Sequence, residues 1–263
     1  MPVNTSGGGR SVEARVHDSL EMLADLHAYN RWYYRCIRPF LRGSICDVGC
    51  GTGNFIQFLL NHELVVGIDP YDASLAVARE RFHQCTNIRF VRGWLSDFPG
   101  DAIPPGSFDT VICLRLLESM GDDVDSLRRM RQLCRDNGNV VIVASALMSA
   151  YGELDRAVGH HRRYNRCSLA RAFGNAGLSV IYSAYQNTLG YFGWLWHSRV
   201  LRKREIPTFS AQTLNRLVPF LDVLERIVHP PFGQSIVMVG TPLPSSPHNA
   251  DASTDAGRVG AAR

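Results

Sequence analysis

The run Ile45-Cys46-Asp47-Val48 leads straight into Gly49-Cys50-Gly51-Thr52-Gly53 and then Asn54-Phe55-Ile56. Glycines spaced two apart let the backbone take positive φ and let a ligand approach it closely, so this stretch predicts a buried strand turning sharply into a helix. Such a unit does not stand alone. Parallel strands need long crossovers and are buried on both faces, which confines the chain to an alternating α/β sheet.

The downstream pattern agrees. Strands are expected at residues 45–48, 65–68, 88–91, 110–114 and 140–144, with helices at 54–60, 73–83 and 124–134 between them. A helix at 169–176, a strand at 179–185 introduced by Gly177 and a last strand at 235–239 complete the core. The fold class is therefore α/β, a Rossmann-like, mostly parallel sheet with helices on both faces. About fifty residues separate the last two strands, among them Trp194, Trp196, Leu214, Leu217, Phe220, Leu221 and Leu224. That stretch is too apolar for a structureless loop, and residues 188–232 are expected to form a helical cap inserted between the last two strands.

With 263 residues and 45% apolar content the chain can bury one full core, so residues 11–241 read as a single domain. Within it, residues 11–43 are expected to supply N-terminal helices, from Val12, Val16, Leu20 and Leu23 at helical spacing and from Tyr29-Asn30-Arg31-Trp32-Tyr33-Tyr34 ahead of Pro39 and Gly43. Residues 1–10 and 242–263 are rich in small, polar and Pro residues and are expected to be disordered tails. A net charge of +4 is too small to suggest a nucleic-acid partner. The seven cysteines are odd in number and form no CxxC pair, which fits reduced thiols in a cytoplasmic protein and neither a disulfide frame nor a metal site. No apolar leader and no uncharged run of bilayer length is present, so secretion and membrane insertion are not expected.

The glycine loop could face a dinucleotide or S-adenosylmethionine. Three details favour the second. The glycines read G-x-G-x-G, not the G-x-G-x-x-G of dinucleotide sites. Asp47 precedes them, placed to meet an ammonium and to repel a pyrophosphate. Asp69 ends the next strand, placed to accept the ribose hydroxyls. The candidate cofactor residues are Asp47, Gly49, Cys50, Gly51, Gly53, Asn54, Asp69, Pro70, Trp94, Leu95 and Leu114.

Residues 47–53, Gly67-Ile68-Asp69, Phe108-Asp109-Thr110-Val111-Ile112 and Asn137-Gly138-Asn139-Val140-Val141 resemble, in order, the motifs of class I S-adenosylmethionine-dependent methyltransferases. The resemblance implies a seven-stranded sheet with the last strand antiparallel, and S-adenosylmethionine as cofactor. It departs in Gly93-Trp94-Leu95-Ser96-Asp97, where an aromatic stands in place of the usual acid beside the adenine. Trp94 there is either a platform for the adenine, with Asp97 as a substitute acid, or a core tryptophan. Leu114-Arg115-Leu116-Leu117-Glu118-Ser119 lacks both the Asp/Asn-Pro-Pro-aromatic tetrad of nucleobase amino methylases and the double-glutamate loop of protein arginine methyltransferases.

Tyr151-Gly152-Glu153-Leu154-Asp155 and Gly159-His160-His161-Arg162-Arg163-Tyr164 follow the fifth strand, over the mouth of the sheet where ligands of open α/β folds bind. With Tyr29-Asn30-Arg31-Trp32, Asn187 and Pro231-Phe232-Gly233-Gln234-Ser235, they resemble a bacterial subgroup of the family carrying a Gly-His-x-Arg-Arg-Tyr segment, some of whose members accompany specialised-metabolite and glycosyl-transfer pathways. Methyl transfer is an in-line displacement that needs a base only where the acceptor must lose a proton. His160 is the first candidate, because histidine ionises near neutrality, with Tyr164 and Glu118 behind it. Arg162 and Arg163 are candidates to hold a carboxylate or phosphate of the acceptor, with Tyr151, Asn187, Tyr29 and Trp32 lining its pocket. The competing expectation is that the two arginines pair with Asp155 and Glu153 and only tie down their own loop.

The expected activity is methylation of an O or N atom of a small molecule, a natural-product intermediate or a sugar, by a monomer or homodimer. The alternatives are a protein that binds S-adenosylmethionine without transferring methyl, as a regulator or a cyclase, and an RNA or protein methylase. The basic run Arg199, Arg202, Lys203, Arg204 beside the cap aromatics reads first as packing of the cap onto the core, with peripheral membrane contact as the alternative.

Overall fold

The structure is a computed structural model and describes residues 27–196, 208–228 and 230–243. The expected helix through Val12, Val16, Leu20 and Leu23, the basic run at 199–204 and nearly all of the two tails lie outside these residues.

Seven strands form one sheet: β1 (Ile45–Val48), β2 (Val65–Asp69), β3 (Ile88–Arg92), β4 (Phe108–Leu114), β5 (Cys134–Ser145), β6 (Leu178–Gln186) and β7 (Ser235–Pro242). Their order is β3-β2-β1-β4-β5-β7-β6. Neighbours from β3 to β5 pair in parallel, whereas β7 runs antiparallel to both β5 and β6. The described helices are α1 (His27–Ile37), α2 (Asp72–Arg81), α3 (Asp123–Leu133), α4 (Glu153–Ala157), α5 (Arg166–Asn175), α6 (Thr188–Leu195) and α7 (Thr208–Val228). This is a Rossmann-like, mostly parallel sheet with helices on both faces.

Side chains alternate across a strand, and the burial follows that period of two. Cys46, Val48, Val111, Cys113, Val140, Ile142, Ile236 and Met238 face one way, onto Leu127 and Met130 of α3 and Leu169 and Phe173 of α5. Ile45, Val65, Ile112, Val141, Val143, Val237 and Val239 face the other way, onto Trp32 and Ile37 of α1, Leu75 of α2 and Val218 and Leu221 of α7. Both faces being covered explains why the central strands read as near-continuous apolar runs. Trp32, a candidate pocket residue on sequence grounds, is 1% exposed and packs into this second core.

One expectation fails. The helix expected at 54–60 is a single 3₁₀ turn, Ile56–Phe58, entered through turns at residues 51–55. Its hydrogen bonds run three residues back, Ile56 N–H to Gly53 C=O, Phe58 to Phe55 and Leu59 to Ile56. Side chains three apart eclipse in that geometry. Phe55 and Phe58 are thereby both brought against Tyr34 of α1, at ring separations of 6.2 and 5.1 Å. Gly53 enters the turn at φ 77° beside Phe82, with no room for a Cβ. Left-handed glycines and aromatic anchoring thus override the helical period of the sequence.

Among the described residues, three non-glycines have positive φ: Arg115 at 59°, Leu147 at 63° and Asn187 at 63°. They follow the ends of β4, β5 and β6, and all turn the chain over the same edge of the sheet. Left-handed backbone is uncommon outside glycine and gathers near functional sites.

Because Trp32 fills the junction of α1 with the sheet, Trp32→Ala is expected to lower unfolding stability by about 3–5 kcal/mol, read as the shift of a urea midpoint at unchanged slope. A loss below about 1 kcal/mol would mean that α1 is not part of the cooperative core.

Candidate active site

Asp47 pairs in register with Gly67, and Asp69 lies two residues further along β2. By strand alternation both carboxylates therefore project to the α1 side of the sheet, at the carboxyl ends of neighbouring strands. Asp69 accepts the N–H of Gly51 at 3.0 Å and of Tyr71 at 3.0 Å, so it fastens the glycine loop to the end of β2. Burial raises its pKa, and those two N–H groups work against the rise. Asp47 is 2% exposed and its carboxylate receives no hydrogen bond from the described residues. Burial, with the Asp69 charge beside it, pushes its pKa up to about 7. An uncompensated buried carboxylate is costly and calls for a cationic partner.

Gly49, Gly51 and Gly53 have φ of 77°, 53° and 77°. The expected passage from strand into helix is replaced by this left-handed turn and a single 3₁₀ turn. A Cβ on Gly49 would collide with Leu116, so the loop after β4 lies directly against the glycine loop. Asn54 is engaged by Arg81 at 2.7 Å and by Thr52 at 3.2 Å. Cys50 is buried, its thiol pushed up by burial, with Asp47 and Asp69 adding to the effect. Pro70, Leu95 and Leu114 are each half-buried around the same edge.

Trp94 is not a core tryptophan. It is 59% exposed, with Tyr71 edge-on at 6.0 Å. Asp97 is taken up in its own turn, accepting from Trp94 N–H at 2.8 Å and from the Ser96 hydroxyl at 3.3 Å.

Across the sheet edge lies a second cluster, built on Asp155 of α4. This fully buried carboxylate accepts four hydrogen bonds: from Gly152 N–H at 3.0 Å, Trp194 Nε1 at 3.1 Å, Arg163 Nε at 2.8 Å and His160 Nδ1 at 3.2 Å. Burial pushes its pKa up, but His160, the Arg163 charge and Trp194 outweigh that and hold it below the usual carboxylate range. His160 Nε2 points toward Glu118, 3.9 Å from its Oε1. Glu118 is itself fully buried, with Oε1 held by the Ser145 N–H at 3.1 Å and hydroxyl at 2.6 Å. Its Oε2 is buried with no hydrogen-bond partner among the described residues.

The remaining sequence candidates are mostly engaged in holding the fold. Arg163 is 4% exposed, bonded to Asp155 and to the Ala146 carbonyl at 3.0 Å, and stacked over Trp194 at 4.9 Å. Arg162 pairs with Asp123 at 3.1 Å and donates to the Gly121 carbonyl, so it does not pair with Glu153, which binds Arg156. Tyr164 donates to Asp123 at 2.9 Å, and burial together with Asp123 raises its phenol, which suits a donor and not a base. Tyr151 donates to the His160 carbonyl at 2.9 Å. Asn187 is fully buried, caps α6 through Gly190 N–H and donates to Gln234 at 2.5 Å. Tyr29 joins Tyr33 at 3.1 Å and accepts from Arg115 at 2.8 Å, which puts a guanidinium at the same edge. Ser145, Asp123 and Arg115 escaped the sequence reading because their partners lie 27 to 86 residues away and no local spacing marks them.

Residues 45–138 match the family described as methyltransferase domain. Over 159 residues the chain is 26% identical to a malonyl-acyl-carrier protein O-methyltransferase of Paenibacillus sp. (strain JDR-2), 52% of this chain and 56% of that one. Over 98 residues it is 31% identical to a ubiquinone biosynthesis O-methyltransferase of Saccharophagus degradans, 36% of this chain and 41% of that one. The chain thus spans about half the length of these relatives. In the solved complex between the Haloferax volcanii Trm112 methyltransferase activator and a methyltransferase, one chain superposes with a TM-score of 0.64 at 14% identity, over 90% of this chain and 100% of that one. That likeness is one of fold.

Asp155→Ala strands both Arg163 and His160 in the interior, so it is expected to lower stability by about 3–5 kcal/mol in urea unfolding. Glu153→Ala, which removes an exposed pair with Arg156, is expected to change it by less than about 1 kcal/mol. Equal effects of the two variants would rule out Asp155 as the anchor of this cluster.

Proposed function

We propose that the chain is an S-adenosylmethionine-dependent methyltransferase acting on an O or N atom of a small molecule. The observation that carries this is Asp47: a buried carboxylate that receives no hydrogen bond from the described residues, at a left-handed glycine turn fastened to a second acid on the next strand. The residues present fit the cofactor by their chemistry. Asp47 suits its ammonium, Gly49, Gly51 and Gly53 admit close approach of its chain, Asp69 keeps acceptor capacity for its ribose, and the exposed Trp94 offers a flat surface to its adenine, with Pro70 and Leu95 beside it.

Bound S-adenosylmethionine supplies a methyl group on a sulfonium, open to in-line displacement by a lone pair. The chain's own contribution is to orient the acceptor and take its proton. An Nδ1–H donated to Asp155 leaves His160 Nε2 as a proton acceptor, and Glu118, whose Oε1 lies 3.9 Å from that nitrogen, keeps its second oxygen to receive a hydrogen bond from an acceptor hydroxyl or amine. Leu116 against Gly49 ties this pair to the cofactor loop, two residues ahead of Glu118. Arg115, held by Tyr29, adds a positive charge beside Glu118. The nucleic-acid alternative has little support, since Arg162 and Arg163 are both committed to carboxylates of the chain.

The direct test is incubation with methyl-labelled S-adenosylmethionine and cell extract, followed by mass identification of the product. Binding of the cofactor without any labelled product would leave a non-transferring binder. Asp47→Asn is expected to weaken S-adenosylmethionine binding roughly 10- to 100-fold in calorimetry. The same variant is expected to stabilise the cofactor-free protein. An acid whose folded pKa is raised to about 7 contributes stability at low pH and loses it as pH rises from about 4 through 7, so the gain in Asp47→Asn approaches about 4 kcal/mol at pH 8 and vanishes near pH 4. A pH-independent difference would overturn the assignment. His160→Gln should reduce turnover by about 10²- to 10⁴-fold at unchanged cofactor affinity, and full activity of that variant would remove His160 as the base.

A further inference from the structure

The arginines that the sequence offered for the acceptor, Arg162 and Arg163, are both paired with carboxylates of the chain. Arg115 is not. It directly follows β4 at the carboxyl edge of the sheet, in left-handed backbone of φ 59°, with its N–H fixed to the Val143 carbonyl at 2.6 Å. A guanidinium carries five N–H donors in a planar fork. Among the described residues, the hydrogen bond of this fork runs from Nη1 to the Tyr29 phenol at 2.8 Å, and Arg115 forms no ion pair with a described carboxylate.

Tyr29 is itself held in place. Its hydroxyl meets Tyr33 at 3.1 Å and Gln234 Oε1 at 3.5 Å, Tyr33 donates to Ser235 at 2.8 Å, and Asn187 donates to Gln234 at 2.5 Å. Helix α1 and the chain at the starts of β7 and α6 thus fix one limb of the fork, and the other limb keeps its donors. Burial works against the Arg115 charge, and Tyr29, Tyr33 and Glu118 outweigh that, so the guanidinium stays ionised. Arg115 also repels Arg163, which sets it between the tyrosines of α1 and the Asp155 cluster. Next in sequence, Leu116 lies against Gly49, and Glu118 with its buried Oε2 follows two residues later. A tether from β4 to Tyr29 calls only for a neutral donor, since a buried charge adds a desolvation cost that one phenol does not offset. A fixed, ionised fork with donors to spare matches an oxyanion, which a guanidinium meets through two parallel hydrogen bonds.

We propose that Arg115 binds an oxyanion of the methyl acceptor, a carboxylate or a phosphate, and that the acceptor is a small anionic molecule whose hydroxyl or amine reaches His160. The identity of that anion as the acceptor rests on the methyltransferase reading; the anion site does not.

The first test takes the methyl-labelled product to an anion exchanger, which should retain it at neutral pH. Phosphatase treatment should abolish retention of a phosphate and leave that of a carboxylate. With the purified acceptor, Arg115→Gln should raise KM roughly 10- to 100-fold with kcat within about threefold, and Arg115→Lys should recover part of the loss. Tyr29→Phe, which frees the fork without removing it, should raise KM by about threefold to tenfold. Unchanged S-adenosylmethionine affinity certifies the fold of each variant. The second test needs no turnover: at fixed ionic strength, acetate or inorganic phosphate in place of chloride should raise the thermal unfolding midpoint of the unaltered protein more than that of Arg115→Gln. A neutral labelled product, or a KM that Arg115→Gln and Tyr29→Phe both leave unchanged, overturns the proposal while methyl transfer stands. If cofactor binds and no product forms, methyl transfer fails, and the anion site is decided by the thermal series, where equal midpoints shifts in the two proteins overturn it.

Discussion

Two carboxylates buried side by side at one end of a sheet set the terms for what surrounds them. Asp69 is stabilised by the chain itself, through the N–H groups of Gly51 and Tyr71. Asp47 is not, and its ionised form lacks a counter-charge in the described structure. A sequence under selection for stability alone has no reason to keep such a group, since an amide or an apolar side chain would remove the penalty. The left-handed glycines and the close fit of Leu116 over Gly49 adjoin that one unbalanced charge, the exposed Trp94 follows Gly93, whose N–H is bonded to the Asp69 carbonyl, and each is easier to understand once a cationic ligand is admitted.

The other half of the edge is built on the opposite principle. There a buried charge is balanced almost to excess, with Asp155 drawing in a backbone amide, an indole, a guanidinium and an imidazole. Among the described residues, the carboxylate oxygen of this network left without a partner is Glu118 Oε2, on the side chain whose Oε1 lies 3.9 Å from the imidazole. On the proposed function, the contrast divides the edge into a cofactor side that invites a cation and an acceptor side that presents a hydrogen-bond acceptor and a base.

Much of this was legible in the sequence, for a definite reason. Strands buried on both faces leave apolar runs, glycines at positive φ leave their own spacing, and Asp47 and Asp69 stand at fixed offsets from both, so the cofactor side is written in local pattern. The 54–60 helix failed because the signal was local and the deciding contact was not: Tyr34, outside the window, drew Phe55 and Phe58 into a 3₁₀ turn. On the acceptor side the motif Gly-His-x-Arg-Arg-Tyr was visible, but not which of its members face inward. Arg162, Arg163 and Tyr164 are adjacent in sequence, yet Arg162 and Tyr164 reach Asp123 while Arg163 reaches Asp155. Nothing in a chain of consecutive residues distinguishes those destinations, and Asn187, fully buried at a left-handed turn, is likewise defined by Gln234 and Glu225, far along the chain.

The four bonds to Asp155 also bear on how the protein moves. They come from the start of α4, from the loop after it and from the end of α6, and Leu154 and Trp194 share one apolar cluster besides. Opening any one of them exposes a buried carboxylate to the others' loss, so these segments must exchange their amide hydrogens together, as one cooperative unit, at a rate slower than their surface position suggests. The turn at residues 51–58 is held by other contacts, its own short-range bonds, the Asp69 clasp and the stacking of Phe55 and Phe58 on Tyr34, and is expected to open as a separate unit. Entry of a ligand at the glycine turn and exchange of the acceptor would then proceed through separate local openings, leaving the sheet between them undisturbed.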